Sequence, residues 1–389
     1  MSETQKHTKP NVPNLRFPGF EGEWESRKIG EDCSVLMCKR IFAHQTSEQG
    51  DVPFYKIGTI GAEPDAYISR ELFEDYKAKY NYPREGEVMV TCAGTVGKTI
   101  VFNGDDSYYQ DSNIVWLSNP KQLYLNSFLN YYLSRVNWNK LNSTTITRIY
   151  NDNLRELIIK YPSVEEQEKI VSLLSLLDQR IAVQNKVIED LKKLKTALCE
   201  HLYNETNPNC RIGDIVEQSS VRNRTKNALT VLSVSNRYGF IAQTEQFEER
   251  SIASEDTTNY KVVSLNDFAY NPARINVGSI ARLKSFDKGI VSPMYICFRC
   301  KDGTYPEFLE HFFSTKSFSL EMEKRLEGSV RMCLSYEGLC NIQIFLPPLV
   351  QQKSISEKIS ALNRKVQLEE NYLYALINQK QYLLSKLFI

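Results

Sequence analysis

The chain has 389 residues with 48 basic and 47 acidic side chains, a formal net charge of +1. That balance excludes a global positive field, so any nucleic-acid contact has to come from local patches. The length suits two or three domains, and no apolar run approaches the roughly 20 residues that a membrane span needs. The polar N-terminus and the nine scattered cysteines are those expected of a cytoplasmic protein with reduced thiols and no membrane partner.

Residues 1–13 are polar and read as a mobile tail. Between Leu15 and Tyr161, short β-like runs (Phe54–Ile60, Glu87–Cys92, Asn113–Leu117) alternate with Gly, Pro and Asp turns. An amphipathic helix is predicted from about Ser127 to Trp138, with Phe128, Leu129, Tyr132, Leu133 and Val136 on one side. A last β-like run, Leu157–Lys160, ends at Pro162. Ser163 and Glu166 then have the spacing of a capping box that opens a long helix.

After Asn207-Pro208-Asn209 the cycle begins again. Arg211-Ile212-Gly213-Asp214 echoes Lys28-Ile29-Gly30-Glu31, and Phe268–Tyr270 with Val277-Gly278 echoes Val88–Val90 with Val96-Gly97. Glu307-Phe308-Leu309 echoes Ser127-Phe128-Leu129. Residues 154–203 and 339–388 align without a gap at an offset of 185. The expected organisation is therefore a domain over 14–161, a helix over 162–206, a second domain over 207–346 and a second helix over 347–389. The fold class is α+β: two mixed α/β domains and two long helices, related by a pseudo-twofold repeat.

Each long helix carries an apolar stripe with steps of four and three, from Ile170 to Leu202 and from Ile355 to Leu387. Polar residues interrupt both stripes at the same places, Gln184 and Lys195 in the first, Glu369 and Lys380 in the second. This is the seam of an antiparallel coiled coil. Pairing residues whose numbers sum to 564 sets Leu177 against Leu387 and Ile188 against Leu376. It also sets Gln184 against Lys380 and Lys195 against Glu369 as polar layers, with the C-terminus brought back beside the first domain. Forty residues of helix span roughly 60 Å.

Three segments have the look of chemical motifs. Ala93–Thr99 resembles the end of a phosphate-binding loop, but Cys92 stands where the first glycine is needed and the repeat copy has no lysine. It reads as a tight turn, on which Lys98, and Arg274 in the second copy, could touch a phosphate. Tyr270-Asn271-Pro272-Ala273 lacks the second proline and the aromatic residue of the amino-methyltransferase motif. Cys297 and Cys300 form a lone C-x-x-C on a predicted strand, which would put the two thiols on opposite faces; no metal site is expected. The sequence offers no catalytic residues.

Basic and hydroxyl-bearing segments at matched places suit phosphate or base-edge contact, with solvated loops as the other reading. They supply Lys39 and Arg40, then Thr145, Thr147 and Arg148, in the first domain. In the second they supply Arg222, Arg224 and Lys226, then Ser329 and Arg331.

The alternation of domain and helix resembles the specificity subunit of type I restriction-modification systems. Pro162-Ser163-Val164-Glu165-Glu166-Gln167 with the following Ile/Leu ladder matches that family's helix start, as does Pro347 to Gln352. Leu15-Arg16-Phe17-Pro18-Gly19-Phe20 is similar to the family's opening. The resemblance implies a non-catalytic, sequence-specific DNA-binding subunit with two target recognition domains, each reading half of a bipartite duplex target. It implies helices that set the spacer and dock two modification (adenine methyltransferase) subunits, with restriction (motor-nuclease) subunits joining to cleave. S-adenosylmethionine, ATP and Mg would belong to those partners, and no cofactor to this chain. The alternatives are a coiled-coil scaffold that binds protein, or a similar reader serving a fused methyltransferase-nuclease.

Overall fold

The computed structural model describes residues 11–138, 148–204, 207–224, 229–236, 238–243, 256–328 and 331–389. These form two compact units, residues 1–183 with 373–389 and residues 184–372. In the first unit the order is β1 (Glu25–Lys28), α1 (Ile29–Asp32), β2 (Ser34–Leu36), β3 (Val52–Tyr55), β4 (Tyr67–Ile68), α2 (Arg70–Lys79), β5 (Val88–Thr91) and β6 (Thr99–Val101). There follow β7 (Tyr108–Tyr109), β8 (Ile114–Ser118), α3 (Asn126–Ser134), α4 (Asn151–Arg155), β9 (Ile158–Tyr161) and the long helix α5 (Val164–Asn204), whose C-terminal half belongs to the second unit.

The central sheet of this unit runs β2-β8-β5-β6, all antiparallel. A smaller sheet, β4-β3-β7, contains the parallel pair β3–β7, and β1 pairs with β9. Period-two alternation divides the core between the two faces of the central sheet. Val88, Val90, Val115 and Leu117 face α3, α4 and α5, whereas Met89, Ile114 and Trp116 face the small sheet and Phe73 of α2.

The second unit repeats the plan. It comprises β10 (Cys210–Arg211), α6 (Ile212–Ile215), β11 (Val216–Ser219), β12 (Val231–Ser235), β13 (Gly239–Ala242), β14 (Lys261–Ser264), β15 (Phe268–Tyr270), β16 (Ile280–Arg282), β17 (Lys288–Val291) and β18 (Ile296–Cys300). Then come α7 (Pro306–Phe312), α8 (Lys316–Glu323), α9 (Tyr336–Cys340), β19 (Gln343–Ile344) and the second long helix, α10 (Leu349–Leu387). Its sheets are β11-β18-β15-β16 and β13-β12-β17-β14, with β12–β17 parallel, and β10 pairs with β19. On β18, Cys297 packs in the core toward the β13-β12-β17-β14 sheet and Cys300 in the opposite one, as strand alternation requires. Burial pushes both thiols up to about 12.

The echoed Ile-Gly pairs have one physical cause. A Cβ on Gly30 would lie 2.8 Å from Cβ of Arg155 in α4, and one on Gly213 would lie 2.9 Å from Cβ of Cys340 in α9. Both glycines let α1 or α6 approach the short helix that precedes the last strand. The adjacent amides close the same corner, Ile29 N–H to the Leu157 carbonyl and Ile212 N–H to that of Ile342, each at 2.9 Å.

The helix start is duplicated in equal detail. Gln167 is fully buried; its amide donates to the carbonyls of Leu123 and Pro162 at 3.0 Å and accepts from Leu125 N–H at 2.8 Å. Gln352 makes the same three bonds, to Gly303, Pro347 and Tyr305 N–H. Each glutamine ties the first turn of a long helix to the chain entering α3 or α7. The expected capping box does not form, because Arg16 takes both carboxylate oxygens of Glu166, at 2.9 and 2.8 Å. Glu165 is instead the carboxylate that bonds its own backbone and the Ser163 hydroxyl, which hold it below the usual range.

Two boundaries differ from expectation. The run after β3 turns at Lys56, where Thr59 and Ile60 N–H both return to the Lys56 carbonyl. Helix α3 stops at Ser134 because the next residues tighten, Arg135 and Val136 bonding back three residues, and carry Trp138 under the turn at Gly97.

The helices pair antiparallel as expected, but in another register. In the first unit Lys380 donates to Asp178 at 2.5 Å, and Leu387 packs with Ile170 and Leu174. In the second, Gln184 donates to the Glu369 side chain at 2.5 Å, Lys192 pairs with Glu370 at 2.6 Å, and Ile359 packs with Cys199 and Tyr203. The numbers of the three polar pairs sum to 558, 553 and 562, centring the register about one heptad below 564. A heptad shift keeps stripe against stripe, although at a sum of 557 the polar breaks stand opposite apolar positions (Gln184 with Leu373, Lys195 with Leu362), so the matching of polar layers did not set the register. Neither Gln184–Lys380 nor Lys195–Glu369 forms. Glu369 meets Gln184 and Lys365, and Lys195 lies beside His311.

Candidate nucleic-acid interface

In the first unit several expected residues converge on the loops at one end of the sheets. Arg40, in the loop after β2, donates from Nε to Asp111 at 2.6 Å. Arg148 lies 3.4 Å from the hydroxyl of the adjacent Ser112, and Ile149 N–H bonds the Cys92 carbonyl. The β7–β8 turn therefore holds Arg40 and Arg148 side by side. Burial raises the Cys92 thiol to about 11, with Arg148 opposing. Lys39 is exposed, its ammonium 5.2 Å from the Tyr80 ring centre.

The 93–99 turn is shaped by packing. Gly97 has φ +79°, and a Cβ there would lie 2.0 Å from the Trp138 ring. The lysine that follows is held by protein, Lys98 Nζ donating to the Ile60 carbonyl at 2.5 Å. Thr145 and Thr147 lie outside the described residues.

Beside Arg40 is a cleft lined by Arg40, Phe42, Thr46, Lys56, Gln110 and Asn113, floored by Phe54. Phe42, Lys56, Gln110 and Asn113 escaped the sequence reading because they come from separate segments without a shared motif. Only the pairing of β3 with β7 and the Arg40–Asp111 bond assemble them.

In the second unit the basic residues are more spread. Arg222 bonds Asn259 at 2.9 Å and its backbone bridges Lys261; Arg224 is exposed, and Lys226 lies outside the described residues. Arg274 opens the 3-10 turn Ile275–Val277, closed by Gly278 at φ +86°. Arg331 is exposed near the chain that returns through Leu334, whose N–H bonds the Pro272 carbonyl; Ser329 lies outside the described residues. The Leu334–Pro272 bond thus joins the two chain segments that carry Arg274 and Arg331, and Arg222 stands at the edge beside Lys261. The Tyr270–Ala273 segment is structural: the buried Tyr270 hydroxyl donates to the Leu334 carbonyl at 3.2 Å, and Asn271 Oδ1 accepts from Ala273 N–H.

No helix among the described residues is long and apolar enough to cross a membrane. The described residues contain no group of three metal-ligating side chains.

A family model described as the type I restriction modification DNA specificity domain matches twice, over residues 21–193 and 204–379. A putative type I restriction enzyme specificity subunit of Haemophilus influenzae is 46% identical over 164 residues, 42% of this chain and 42% of that one. The chain thus spans well under half of that relative in the match. The putative MjaX specificity subunit of Methanocaldococcus jannaschii is 20% identical over 94% of this chain and 92% of its own. Among solved structures, the type I S subunit from M. genitalium shares the fold with TM-score 0.60 at 16% identity, covering 97% of this chain and 99% of that one. A chain from a study of complex assembly and conformational transition in the type I system gives 0.58 at 16% identity, with the same coverage. Two matched domains spanning most of the sequence, on a fold that repeats itself, show that the chain belongs to the type I restriction-modification DNA specificity family, whose members are non-catalytic subunits.

Proposed function

We propose that each unit reads one half of a bipartite duplex DNA target, and that the paired helices set the spacer and dock two adenine-methylating modification subunits. The observation that carries this reading is the duplicated frame. The Gln167 and Gln352 anchors, the Gly30 and Gly213 corners and the order of the central sheet are the same in both units, whereas the amino acids around Arg40 and Arg148 differ from those around Arg274 and Arg331. A constant frame with unlike loops suits two readers of unlike half-sites. Lysines and arginines at phosphates would fix position, and polar and aromatic side chains would choose bases. Methyl transfer needs an adenine taken out of the stack, so the DNA these loops hold would be distorted. Restriction subunits would join the same assembly to cleave.

The test is to replace residues 207–345 with those of another family member and map methylated adenines in cells that carry the modification subunits. One half of the methylated sequence is expected to change and the other to persist. A change in both halves would overturn the reading.

A further inference from the structure

We infer that the cleft beside β3 in the first unit is its base-reading site, with Phe42 as an aromatic wedge against a base step. Asn113 and Gln110 would be the amides that meet base edges. The inference rests on the DNA-reading function proposed above.

Phe42 is 53% exposed, and its backbone is pinned on both sides of the peptide unit. Its N–H donates to Gln45 Oε1 and its carbonyl accepts from Gln45 N–H, both at 2.9 Å, closing the turn Ala43–Gln45. The His44 ring stacks on it at 10° with centres 5.9 Å apart. A mobile loop tip would leave such a ring free to fold down; here the backbone bonds and the stacked ring present it to solvent.

The neighbouring groups fit a nucleic acid. Arg40 binds Asp111 through Nε alone, and its two terminal nitrogens carry no partner among the described residues. Lys56, paired with Asp65 at 3.0 Å, adds a second cation to the rim. The Asn113 side-chain amide makes no hydrogen bond among the described residues. Gln110 uses only Oε1, on Ile57 N–H at 3.3 Å, which leaves its NH₂ to donate. Cations for phosphates, amides that match the donor-acceptor edge of adenine, and a supported ring that can enter a base step are the three contacts a base reader needs.

The test uses the full chain with its modification subunits and two duplexes of equal length, one carrying the mapped target and one scrambled, followed by fluorescence anisotropy. Phe42→Ala and Asn113→Ala should weaken target binding about tenfold and leave the scrambled duplex within about twofold. Arg40→Ala should weaken both. Phe42→Trp should restore discrimination, with its added indole emission quenched by the target alone, which a purely structural ring would not produce. Wild-type discrimination that survives Phe42→Ala and Asn113→Ala overturns this inference alone. A wild-type complex that does not distinguish the duplexes overturns the DNA-reading function as well.

Discussion

Single side chains do the fixing in this protein, and Gln167 and Gln352 do most of it. A glutamine amide supplies two donors and two acceptor sites in one plane, so it can hold three backbone groups at once, two on the chain entering α3 or α7 and one at the proline before its own helix. Truncation leaves a buried N–H and two carbonyls without partners. Gln167→Ala should therefore lower stability by about 2–4 kcal/mol, or roughly 5–10 °C in Tm for a unit of this size, measured by calorimetry. His311 carries a pH signature. It is buried on α7, accompanied by Glu307 and Glu310 from its own helix, Lys195 from α5, Ser360 from α10 and Lys284 from the β16 end. Burial, outweighing the two glutamates, depresses its pKa below 6.5. The unfolded chain then binds the proton first, so the stability this residue contributes is present above the unfolded value and is lost as pH falls through the folded one. Denaturation midpoints taken from about pH 7 to about pH 5 should fall less for His311→Gln than for the wild type.

At the scale of elements, the helices show how far a periodic pattern constrains a structure. The apolar stripe fixes helix, face and antiparallel sense, but its repeat is the heptad, so a slip of one heptad keeps stripe against stripe and changes only what the polar breaks oppose. What chooses among slips lies at the ends. Leu387 and Phe388 pack into the first core against Trp24 and Phe128, and Ile359 into the second against Tyr203. The polar residues then find partners within reach, Lys380 with Asp178 and Gln184 with Glu369. Reversing Asp178 and Lys380 together should recover most of what either reversal loses. The coupling should be about 1 kcal/mol, since both groups are partly exposed and screened. Double reversal of Lys195 and Glu369 should recover nothing. Urea titration of both double-mutant cycles decides between the registers.

For the molecule as a whole, near-zero net charge and a DNA-reading role are compatible because the cations are local. Arg40 and Arg148 are gathered by one turn, and some of the acids that balance the total are paired along the long helices, as Glu370 is with Lys192 and Glu189 with Lys193. The same locality is why exchanging the second domain should leave the first half-site alone: each unit has its own cores on both faces of its own sheet.

The sequence alone determined the duplication, the two long helices, the antiparallel pairing and the strands β5, β8, β15 and β18, because all of these are written in local periodicity and in the 185-residue offset. It also marked the glutamines at the helix starts, though not their work of holding three carbonyl and amide groups. Only the tertiary structure decided the register, the diversion of Glu166 to Arg16, the use of Gly97 as a seat for Trp138 and the assembly of the Phe42 cleft. Each of these depends on groups far apart in the chain, brought together by sheet pairing and core packing, and local patterns hold no record of which distant side chain will arrive.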